Sequence, residues 1–152
     1  MRVQDVLADM LRKTSSDYAF WLGKTAPEGF EWIPGDPDKT KARTLKDQVA
    51  ECASINRSFT AVFKGDAPSE PPVLADMEEA QAELVASGAA FGDVLATVPD
   101  EALEKAFAFP FGELTGLQMA KIAIRNLNYH AGVVNCYQLM LGDDQFHMPP
   151  SA

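Results

Sequence analysis

The chain has 152 residues, 47% of them hydrophobic and 23% charged, which is the size and balance of one globular domain rather than of a disordered or fibrous protein. Its 22 acidic residues against 13 basic ones leave a formal net charge of -9, a field that repels phosphate backbones and anionic lipid headgroups. Nucleic acid and membrane are therefore not expected as partners.

The opening stretch MRVQDVLADMLRK mixes charges into its apolar residues, and no apolar run approaches the ~20 residues that a bilayer requires. Neither a signal peptide nor a membrane span is expected. Cys52 and Cys136 lie in apolar helical contexts without the spacing of a disulfide framework or a zinc knuckle, so reduced thiols packed as small core residues and a cytoplasmic setting are expected.

From Val3 to Leu22 the residues Val3, Val6, Leu7, Met10, Leu11, Tyr18 and Trp21 recur at three- and four-residue steps and predict a first amphipathic helix. Residues 23–44 are rich in Gly, Pro and polar side chains, with Phe30, Trp32 and Ile33 as anchors, and read as a loop pinned by aromatics.

Thr44 is placed to cap a second helix, with Asp47 three residues on. Leu45, Val49, Cys52, Phe59 and Phe63 form its apolar stripe, and Gly65 marks its end. Asp66 to Pro72 carries three prolines and breaks the pattern. Helical spacing resumes over Val73 to Val98, weakened by Gly88 and Gly92.

Glu104 to Phe111, with Phe107, Phe109 and Phe111, reads as a short extended crossover ending at Gly112. A last helix is expected from Glu113 to Leu141, stopped by Gly142. Four long helices imply an all-α four-helix bundle in a single domain over residues 1–152.

At 100° per residue the last helix sets Leu117, Ala123, Ile124, Leu127, His130, Val134, Tyr137 and Leu141 along one side, so His130 should point into the bundle. A buried imidazole requires a hydrogen-bond partner, a water or a metal. Asn126 is one turn earlier on the same face. On the second helix Glu51 stands at the border of the stripe and Gln48 one turn before it, both able to aim at the same cavity.

Other residues carry plainer expectations. His147 sits in the tail QFHMPP, where prolines forbid a helix, and should be exposed unless it folds back over the mouth of the bundle. Trp21, Trp32 and Phe30 read as core and loop anchors, and Glu78, Glu79 and Glu83 as a solvated helix face. No nucleotide-binding, hydrolase-elbow, HExxH or EF-hand motif occurs.

Two stretches carry a family resemblance. FEWIPGDPDKTKARTLKDQVAEC places Trp32 and Pro34 ahead of Arg43-Thr44-Leu45 and the helix that follows, and NLNYHAGVVNCYQLMLGD sets a His before a small, Gly-containing step and ends its helix at Leu-Gly-Asp. The whole chain in this respect resembles the DinB-like (YfiT-like) superfamily of metal-dependent enzymes, which is distinct from the polymerase that shares the name.

The resemblance implies a DinB-like bundle with three metal ligands presented to its interior. Carried over by position, these fall on Glu51, Asn126 and His130, so that only one of the three is a histidine. It further implies a divalent ion, zinc or nickel, with hydrolase or thiol-dependent S-transferase chemistry on a thiol cosubstrate. Replacement of imidazole by carboxylate and amide suits a harder or weaker-bound ion, or none. Two alternatives stand beside it: a catalytically silent bundle that binds a small molecule in the same pocket, and a homodimeric scaffold.

Overall fold

The computed structural model describes residues 2–150. Four long helices form the frame: α1 (Val3–Leu22), α2 (Leu45–Lys64), α3 (Met77–Thr97) and α5 (Gly116–Met140). Between the last two lie a short helix α4 (Asp100–Glu104) and a hairpin of β1 (Ala106–Phe109) and β2 (Gly112–Thr115). The architecture is an all-α bundle with one small antiparallel ribbon.

Three of the four long helices begin where the side chain of the N-cap residue satisfies a free N–H group. Thr44 accepts from Asp47 N at 3.0 Å and opens α2, Asp76 accepts from Glu79 N at 2.9 Å and opens α3, and Thr115 with Gln118 forms a reciprocal capping box on α5. Gly65 at φ 80° and Gly142 at φ 90° provide the left-handed turns that stop α2 and end the α5 region.

These caps account for two shifted boundaries. The third helix starts at Met77 rather than near Val73, because the segment before the Asp76 cap is extended. The last helix starts at Gly116 rather than Glu113, because Gly112–Thr115 pairs with Ala106–Phe109 in the register Phe107 to Leu114 and Ala108 to Glu113. The expected single crossover is thus a hairpin, preceded by the short α4.

In the bundle α1 packs on α3 and α5, and α2 packs on the same two, so α1 and α2 face each other across a diagonal. The core draws on all four: Leu11, Tyr18 and Leu22 from α1, Leu45 and Val49 from α2, Leu84, Phe91 and Leu95 from α3, Met119, Leu127 and Val134 from α5. A cluster of rings closes one end, where Phe59 and Phe63 of α2 meet Phe91, Phe107 and Phe109.

The first helix is rotated from the expected stripe. Val3, Val6 and Met10 are exposed, while Gln4, Ala8 and Ser15 turn inward. Gly88 and Gly92 explain the close approach of α1 and α3: a Cβ at Gly88 would collide with the Ser15 side chain, and one at Gly92 would crowd the Ala8 carbonyl and the Arg12 stem. The glycines that weaken the helical pattern are the points at which two helices touch.

Candidate functional site

His130 is buried on the inner face of α5, as its phase predicts. Its Nδ1 lies 2.7 Å from Gln48 Oε1. The Gln48 amide is itself oriented, because its Nε2 donates to the Arg43 carbonyl at 3.1 Å, so Oε1 accepts and the imidazole proton sits on Nδ1. Burial depresses the His130 pKa and outweighs the nearby Glu51 charge, which keeps the ring neutral.

Nε2 of His130 therefore carries a lone pair. It faces Glu51 Oε1 at 3.4 Å. Burial alone would raise the Glu51 pKa, but hydrogen bonds from Arg43 and Asn126 more than offset it and hold the carboxyl below its usual value. Two acceptors stand close enough that one donor seated beside them could reach both.

The remaining polar groups close a ring. Asn126 Nδ2 donates to Glu51 Oε1 at 3.0 Å, and the Cys52 thiol donates to Asn126 Oδ1 at 3.0 Å. Arg43 binds Glu51 Oε2 through Nη1 and the Asp47 carbonyl through Nη2 at 2.9 Å. Burial pushes the Cys52 thiol far above its ordinary pKa, so it is a hydrogen-bond donor here and not a nucleophile.

The Arg43 carbonyl receives Gln48 and also the Tyr137 hydroxyl, at 2.8 Å. Trp32 meets the Tyr137 ring edge-on with centroids 5.4 Å apart, and Phe30 is buried, so the loop between α1 and α2 is pinned by aromatics as expected. Around these groups lies a pocket of about 380 Å³ with His130, Gln48, Glu51 and Asn126 in its wall and Lys41, Tyr129, Val133 and Tyr137 around them.

The structure brings Glu51, Asn126 and His130 together, as their carried-over positions require. As arranged they bind one another rather than a common point: Glu51 is neutralised by Arg43, Asn126 turns its amide nitrogen to Glu51, and His130 Nε2 alone is left bare. A guanidinium already supplies the positive charge that a divalent ion would bring, so in this arrangement the three do not fit a metal. Among the described residues no group of three His, Cys, Asp or Glu side chains is placed to hold one.

Two residues of the site were not among the expected ligands. Gln48 fixes the imidazole and Arg43 fixes the carboxylate. Gln48 has a visible signal, being a polar residue on an apolar stripe, whereas Arg43 precedes the helix and falls outside any periodicity.

Elsewhere the side chains depart from expectation in four places. Cys136 is exposed rather than packed in the core. Glu83 is not solvated but paired with Arg57 of α2. Leu117 lies on the outer side of α5, 39% exposed. His147 is half-buried: its carbonyl receives Trp21 Nε1 at 2.9 Å and its ring meets Asp143 at 2.7 Å, so the tail lies across the ends of α1 and α5 and does not line the His130 pocket.

Bundle and pocket together define a helical protein with a polar site between its second and last long helices. The chain belongs to the DinB superfamily, whose family model matches residues 4–134. A crystal structure of a conserved protein from Enterococcus faecalis has the same fold, with a TM-score of 0.72 and 15% identity over 93% of this chain and 99% of that one. No curated protein matches the sequence. No helix among the described residues is long and apolar enough to cross a membrane.

Proposed function

We propose that residues 1–152 act as one domain that binds a small molecule in the pocket between α2 and α5, where His130, Glu51 and Asn126 fix its orientation. One observation carries this reading: the bare Nε2 of a neutral imidazole faces a carboxylate oxygen at 3.4 Å at the wall of a 380 Å³ pocket. Two facing acceptors repel unless a donor seated beside them reaches both, and a ligand hydroxyl, thiol or amine supplies one.

A donor seated there meets a base. His130 Nε2 can take its proton, Gln48 holds the complementary proton on Nδ1, and Glu51 stabilises the imidazolium that forms. This is the protein's part in a hydrolase or thiol-transferase reaction, the chemistry that the family resemblance implies. A thermal-shift screen of small alcohols, thiols and acids, run with and without chelator, tests the reading. Stabilisation that survives chelator and vanishes in His130→Leu supports it; equal stabilisation of wild type and His130→Leu removes it.

The second reading keeps Glu51, Asn126 and His130 as ligands of a divalent ion, zinc or nickel. Its support is the tautomer of His130, whose Nδ1–H is held by a second residue in the manner of metal-binding imidazoles. It requires Arg43 to leave Glu51 and the Asn126 amide to turn over. Plasma mass spectrometry of untagged protein, beside His130→Ala, decides it: near-stoichiometric metal lost in the variant supports the ion, and metal-free wild type rejects it. A homodimer is proposed as the assembly, on the exposed apolar residues Val3, Val6, Met10 and Leu117.

A further inference from the structure

The residues that line the pocket carry a net charge opposite in sign to that of the chain as a whole. Of the 13 basic residues, Lys39, Lys41, Arg43 and Lys46 fall within eight positions, on the loop that leads into α2 and on its first turn. Lys39, Arg43 and Lys46 are paired with Asp36, Glu51 and Glu31, whereas Lys41 is in no ion pair among the described residues. Lys41 and Arg43 against the single carboxylate of Glu51 leave the pocket wall one positive charge in a protein of net charge -9.

These cations are not equally loose. The Arg43 main chain is held by Gln48 and Tyr137, and its side chain spans Glu51 and the Asp47 carbonyl while its Nε–H has no partner among the described residues. The guanidinium is thus fixed before any ligand arrives, which lowers the ordering cost of using it. Tyr129, 66% exposed, stands edge-on to His130 with centroids 5.0 Å apart, and with Val133 and Tyr137 it offers an apolar wall.

We propose that the ligand of this pocket is a small organic anion, a carboxylate or phosphate ester, whose charge is received by Lys41 and Arg43 and whose body lies along Tyr129, Val133 and Tyr137. The inference rests on the small-molecule reading above and adds the sign of the ligand's charge. A guanidinium and an ammonium at the mouth discriminate against neutral analogues of the same shape and speed the approach of anions that the rest of the surface repels.

The test is calorimetric titration of the full chain with three probes: mandelate, phenyl phosphate and neutral mandelamide, which keeps the hydroxyl and ring of mandelate and replaces its carboxylate by an uncharged amide. The expected result is binding of at least one anion about tenfold or more tighter than mandelamide, a loss of about the same factor in Lys41→Gln, and weakening with added salt. The preferred anion tells carboxylate from phosphate.

Lys41 is exposed, so Lys41→Gln keeps the fold and serves as the clean variant. Mandelamide binding as tightly as both anions, with His130→Leu abolishing all of it, overturns the anionic class and leaves the pocket reading intact. Absence of binding by any of the three probes overturns both. Anion binding unchanged in both Lys41→Gln and Arg43→Gln places the anion elsewhere and overturns the inference.

Discussion

His130 Nδ1 and Gln48 Oε1, 2.7 Å apart, decide which nitrogen of the imidazole faces the pocket. Gln48→Leu removes the acceptor, and a ring that kept its proton on Nδ1 would bury an unpaired N–H at a cost of about 1–3 kcal/mol. Nitrogen-15 spectra of the ring should report the Nδ1–H tautomer in the wild type and the Nε2–H tautomer, now pointed at Glu51, in the variant. An unchanged tautomer would dissociate Gln48 from the behaviour of the base.

The lowered pKa of His130 predicts a pH dependence of definite sign. An unfolded histidine takes up its proton near pH 6.5 and the folded one only lower, so below about pH 6.5 the unfolded state binds more protons. Stability present above that pH should fall as the pH descends toward the folded value. Urea midpoints at pH 7 and pH 5 should differ by less in His130→Leu than in the wild type.

The contact of α1 with α3 at Gly88 leaves no room for a methyl group. Gly88→Ala should cost about 1–3 kcal/mol through overpacking against Ser15. Ser15→Gly in the same chain should recover part of that loss, which a double-mutant cycle in urea measures as coupling. Two additive losses would mean that the helices separate instead.

Phe91 is fully buried between Phe59 and Phe63. Phe91→Ala should therefore destabilise the protein by about 3–5 kcal/mol. The same truncation at Phe111, 75% exposed, should be close to neutral by equilibrium denaturation.

The proposed homodimer is open to light scattering. Twice the mass of the chain is expected, reduced to one by Met10→Glu, since Met10 is 46% exposed beside an apolar groove that Leu7, Ile122 and Ile124 line. A monomer at every concentration would remove the dimer and leave the pocket readings untouched.

Much of this architecture is legible because helix ends announce themselves. Val3–Leu22 appears as read, and Thr44 and Gly65 bound α2 as their capping chemistry requires. The box Thr115-x-x-Gln118 was equally readable and marks the true start of α5, but the preceding Glu113 and Leu114 fit a helical pattern just as well. Their pairing with Ala108 and Phe107 is a contact between strands too short to signal themselves by alternation.

The face of α1 is misread for a different reason. Val3, Val6 and Met10 satisfy the spacing of a core stripe, yet Ser15 and Ala8 are small enough to let α3 approach, and close packing at Gly88 and Gly92 sets the rotation of the helix. Hydrophobicity alone does not see the preference for small residues at a tight contact. At the site, phase alone places His130 and Asn126 inward. The role of Arg43 depends on a loop that returns to the bundle, which no local period encodes.

The four seams of the bundle are unequal. Between α1 and α3 the packing is extensive and made of small apolar surfaces, whereas α2 and α5 meet more sparsely and are bridged by Gln48, Glu51, Asn126 and His130. Hydrogen bonds tolerate water far better than apolar contacts do, so this seam can loosen without exposing the core. Local opening, and with it the earliest amide exchange within the long helices, should begin along the pocket-facing turns of α2 and α5. The polar residues that define the site are thus also the place where the bundle is expected to part first.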